Sequence, residues 1–66
     1  MKNRLKEIRE ELSLTQQQLA NLANISRATV ISVERGDTPI KGDTIMKIVK
    51  AVNRSANDIF FDLDVV

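Results

Sequence analysis

The sequence of 66 residues predicts an all-α fold, a compact bundle of five short helices. Three observations predict it. Apolar residues recur at helical spacing along nearly the whole chain. Ser, Thr and Asn stand where helices should begin and end. Two of the helices are separated by only about three residues, with a residue suited to positive φ between them. Such a pair must cross steeply, which is the helix-turn-helix arrangement.

The elements follow in order. Leu5, Ile8 and Leu12 recur at three and four, so 3–12 reads as an amphipathic helix that Ser13 and Leu14 break. Thr15 can cap a second helix over 16–23, and Gln18 can reach back to complete a capping box. Leu14 and Leu19 form a hydrophobic staple across that start. Leu19, Leu22 and Ala23 should face inward, and the small Ala20 admits a close neighbour. Asn24 suits a left-handed turn. Ser26 then caps a third helix over 27–35, Ile25 staples to Val30, and Gly36 suits the stop. Asp37 to Lys41 is a loop containing Pro39. Ile45, Ile48, Val49 and Val52 mark a fourth helix over 42–52, ended by Asn53. Ser55 caps a short fifth helix, and Ile59 and Phe60 should close the core. The tail alternates, with Phe61, Leu63 and Val65 on one side and Asp62 and Asp64 on the other. That is the periodicity of a short C-terminal β-strand.

Composition excludes several functions. The chain has no Cys and no His, which removes disulfides, thiolate metal sites and the commonest general base. The two Gly residues are too few and too separated for a phosphate-cradling loop. No enzyme, cofactor, metal site or small-molecule ligand is therefore expected. No apolar run approaches the ~18 residues of a membrane span. The charged N-terminus is unlike a signal peptide. A cytoplasmic protein with no membrane partner is expected. The net charge of +1 hides an asymmetry, because three of the nine acids, Asp58, Asp62 and Asp64, fall after residue 57. The more basic body suits a polyanionic partner.

The third helix carries the functional signal. At 100° per residue, Val30 and Val33 point one way, with Glu34 and Ser26 beside them. Ala28, Ile31, Ser32 and Arg35 point the opposite way, flanked by Arg27 and Thr29. An ordinary surface helix is long-chained and charged on its outer face. This face is short and mixed, which permits close approach to a groove. In a DNA major groove Arg27 can donate twice to guanine O6 and N7, and Ser32 can bond a base edge. Ala28 and Ile31 can touch a thymine methyl. Gln16 opens the second helix, where free N–H groups favour a phosphate. Arg35 and Lys41 could hold flanking phosphates, as could Thr29 at the edge of the same face. Each residue taken alone could be ordinary surface; the pattern is what argues for an interface.

The segment SLTQQQLANLANISRATVISVERG closely resembles the helix-turn-helix of the lambda-type repressor and Cro family, also called the Xre family. The resemblance covers about residues 3–61 and includes Glu34–Gly36 and Asp58–Phe61. It implies a five-helix lambda-repressor-like domain over 1–61, with 62–66 as a tail. It implies that Gln16 clamps a phosphate and abuts the recognition helix, that Arg27, Ala28 and Ser32 read bases, and that Arg9 and Glu34 form a salt bridge. Departures are visible. The family usually has Gly where this chain has Ser13, Asn24 and Asn53, so the first turn should differ. Ala28 stands where Gln is common and cannot make the bidentate adenine contact, so the usual base preference there should be weakened or replaced.

The expected function is a sequence-specific transcriptional regulator, a repressor that binds double-stranded DNA as a homodimer on an inverted repeat. Phe61, Leu63 and Val65 are the expected dimer contacts. The alternative is a protein-interaction module of the same fold, such as a DNA-binding antitoxin or an adaptor.

Overall fold

The computed structural model describes residues 2–36 and 39–60. Within them the chain folds into five helices: α1 Leu5–Glu11, α2 Gln16–Ala23, α3 Arg27–Arg35, α4 Gly42–Val52 and α5 Ala56–Ile59. Four of the five match the sequence expectation closely. The first is shorter than expected at both ends, with Arg4 and Leu12 as its flanking residues. The tail from Phe61 to Val66, with its expected strand, lies outside the described residues.

Local chemistry sets the boundaries. The Thr15 hydroxyl accepts from the Gln18 N–H at 3.0 Å, and the Gln18 side chain accepts from the Thr15 N–H at 2.8 Å. This closes the capping box at the start of α2. Ser26 caps α3 by accepting from the Thr29 N–H at 3.0 Å, and Ser55 caps α5 through the Asp58 N–H at 3.2 Å. Left-handed residues end the helices. Asn24 has φ 56°, Asn53 φ 55° and Gly36 φ 72°. Ser13 also takes φ 58°. The first turn thus takes a left-handed residue, the geometry that Gly at this position would imply by the resemblance, against the expectation that Ser would alter it.

The core runs through every helix. Leu5, Ile8, Leu19, Ala20, Val30, Ile48, Ile59 and Phe60 are fully buried. Each buried Leu or Ile contributes about 1.5–3 kcal/mol. Leu14, Ile25, Ile45 and Val49 pack against this cluster from its edge. Ala20 is fully buried, and α2 packs against both α3 and α4. Leu22 is not inward as expected; it is 59 % exposed. The buried stripe of α2 is Leu19, Ala20 and Ala23, and Leu22 lies roughly 100° from its centre. Leu12 is 40 % exposed as well, because α1 stops one residue before it.

The N-terminal segment is tied into the fold. Asn3 Nδ2 donates to the Val33 carbonyl at 2.7 Å, while Asn3 Oδ1 accepts from the Leu5 N–H at 3.0 Å. The Arg4 N–H donates to the Ile59 carbonyl at 2.8 Å. These bonds join the start of α1 to the last turns of α3 and α5.

Candidate nucleic-acid interface

Helices α2 and α3 pack on one another across a connection of three residues, Asn24 to Ser26. The left-handed Asn24 reverses the chain, and the Ile25 N–H donates back to the Ala20 carbonyl at 3.0 Å. Ser26 then starts α3 in a new direction. Val30 and Val33 anchor α3 in the core. Its opposite face is thereby presented outward.

Six of the eight expected DNA-contact residues line two neighbouring hollows. Ala28, Thr29 and Ser32 line the first, of about 340 Å³, and Lys41 stands on its far wall. Gln16 and Arg27 line the second, of about 550 Å³, together with Arg9, Thr15 and Gln17. Arg27, Ala28, Ser32, Arg35 and Lys41 are exposed. Ile31 is half-buried, less open than its place on the wheel suggests. Thr29 is also half-buried, with its hydroxyl 2.8 Å from that of Ser26. Arg35 and Ile31 lie outside the linings of both hollows. Phe61, Leu63 and Val65 lie outside the described residues.

Sequence reasoning missed the far wall of the first hollow. Pro39, Ile40 and Thr44 stand there opposite α3. Their tertiary placement depends on how the loop returns to α4, which no local spacing encodes.

Beneath the second hollow lies a buried polar network. Arg9 Nε donates to Glu34 Oε2 at 2.6 Å, and Arg9 Nη2 to Glu34 Oε1 at 3.4 Å. The two side chains are only 11 % and 7 % exposed. Arg9 Nη1 also donates to the Leu14 carbonyl at 2.8 Å, and Gln16 Nε2 donates to Glu34 Oε1 at 3.1 Å. The bond to Glu34 raises the Arg9 pKa above its ordinary value, burial opposes this, and the Glu34 charge adds to it. Among the described residues no buried side-chain N or O lacks a partner. Glu34 is the sole acid between Leu12 and Gly36, so the helix pair presents no unpaired carboxylate. That favours a phosphate backbone as the facing surface.

Residues 5–59 match the family model described as helix-turn-helix. The chain belongs to the Cro/C1-type helix-turn-helix family. Named relatives agree with that membership. The chain is 33 % identical over 61 residues to the HTH-type transcriptional regulator YgzD of Bacillus subtilis, covering 92 % of each. It is 38 % identical over 60 residues to an HTH-type transcriptional regulator of Methanocaldococcus jannaschii, covering 91 % of each. A third, from Archaeoglobus fulgidus, is 32 % identical over 60 residues, covering 91 % of this chain and 84 % of that protein. In helix-turn-helix proteins the second helix of the pair, the position that α3 holds here, lies in the major groove, while the first crosses the backbone. No described helix is long and apolar enough to cross a membrane.

Proposed function

We propose that the protein is a cytoplasmic, sequence-specific transcriptional repressor that binds an inverted-repeat operator as a homodimer. The observation that carries this reading is the outward face of α3. It exposes short side chains beside an arginine, backed by a helix pair whose one acid is neutralised. Arg27, Ala28, Ile31 and Ser32 read base edges in the major groove, Ile31 through the part of its side chain left open. Gln16, Thr29, Arg35 and Lys41 hold phosphates and fix the register. The names of the three relatives support a regulatory role. The work is binding, with no reaction and no cofactor.

The test is selection from a random duplex library at about 150 mM salt, where non-specific contacts weaken. A two-fold symmetric motif with half-sites about 10 bp apart is expected. Retention of duplexes without a shared motif would reject sequence reading. The second reading is a protein-interaction module of the same fold. The exposed Leu22 and Met46 favour it, at 59 % and 54 % exposure. Failure to retain any duplex would move the assignment there.

A further inference from the structure

The Gln16 amide is held from behind. Its Nε2 donates to Glu34 Oε1 at 3.1 Å, and that carboxylate is fixed in turn by two donors of Arg9. A glutamine amide can present either a donor or an acceptor edge, since rotation exchanges its N and O. A phosphate only accepts. A freely turning Gln16 would therefore meet the backbone wrongly for part of the time. With Nε2 tethered to Glu34, its second N–H is the one left to give. The Arg9 charge also cancels that of Glu34, so the tether adds no net negative charge behind a phosphate. The Gln16 and Gln17 backbone N–H groups, at the first two positions of α2, have no intrahelical acceptor and open beside it.

We propose that Glu34 is a positioning residue for DNA-backbone recognition, acting through Gln16: its Arg9-anchored carboxylate fixes the amide with a donor towards phosphate. This rests on the phosphate role proposed above for Gln16. Glu34 reaches no DNA itself. Its contribution is the removal of a rotational freedom that binding would otherwise have to quench.

A double-mutant cycle tests this. Dissociation constants are measured for a duplex recovered from the selection, at a temperature where circular dichroism finds every variant folded. Replacing Glu34 with Ala should weaken binding about three- to ten-fold when Gln16 is present, the scale of ordering one side chain. In a Gln16→Ala background it should weaken binding no further. An equal loss in both backgrounds, or no loss in either, would overturn the proposal. Should Glu34→Ala fail to fold, the unaltered protein supplies the second readout. Nuclear magnetic resonance should find one Gln16 Nε2 proton slow to exchange with solvent, both free and on DNA. Fast exchange of both protons on DNA would overturn the proposal instead. Absence of any duplex binding by the unaltered protein would remove the DNA reading and this one together, an outcome distinct from additivity in a protein that binds.

Discussion

At the scale of single residues, the backbone of Ser13 holds the most local strain described. A left-handed conformation costs an L-residue roughly 1–2 kcal/mol that glycine avoids. Glycine loses roughly 0.5–1 kcal/mol back through its freer unfolded chain. Ser13→Gly should therefore raise stability by about 0.5–1 kcal/mol, read as a higher urea midpoint with an unchanged slope. The Arg9–Glu34 pair is the other decisive residue-scale feature. Removing one partner leaves a charge nearly buried, so Arg9→Ala should cost about 3–5 kcal/mol in urea unfolding. The sign of its pH dependence follows from the raised Arg9 pKa. That contribution is fully present below the unfolded arginine value and is lost only as pH rises through the folded one. Thermal melts of the unaltered protein between about pH 6 and pH 9 should accordingly be insensitive to this group. The pair was expected from the family resemblance, and the place of Glu34 beside the buried face of its helix fits such a partner. The left-handed Ser13 was not, since serine carries little preference for that region, whereas the two asparagines advertised it.

At the scale of elements, the caps were the most legible feature and the inward faces less so. Thr15, Ser26 and Ser55 each accept the N–H expected of them, because a cap is a contact between residues three apart. Thr15→Ala should cost about 1 kcal/mol of stability, measurable as a lower melting temperature, since it opens one half of the capping box. Leu22 was misread because a helix stripe can be centred on either side of a small residue. The burial of Ala20 and Ala23 sets that centre, and spacing alone does not reveal it. On the recognition helix, Arg27→Ala should weaken operator binding by about 1–3 kcal/mol and relax preference at one base pair. Competition between duplexes altered at single positions would distinguish this from a phosphate contact, which would weaken all sequences alike.

At the scale of the whole molecule, a chain this small buries only about 60 % of its unfolded surface, so a second copy would add useful stability. Deleting residues 62–66 should turn the proposed dimer into a monomer in sedimentation equilibrium. An unchanged mass would place the dimer surface elsewhere, with Leu22 and Met46 as the exposed apolar alternatives. The architecture was legible because five short helices, three of them capped by side chains, leave few ways to pack around one core. The wall formed by Pro39, Ile40 and Thr44 was not, since its place opposite α3 exists only once the bundle has closed.

The bonds from Asn3 to Val33 and from Arg4 to Ile59 carry a consequence for synthesis. A ribosome delivers Asn3 long before Ile59. While the chain grows, the α1 residues Leu5 and Ile8 wait without the layer that Ile59 and Phe60 will supply. The Arg4 bond closes only after Ile59 has emerged, and small helical folds then settle in about milliseconds or less. A chain cut short before Ile59 would lack both the Arg4 bond and the layer that Ile59 and Phe60 supply, and should not hold the fold.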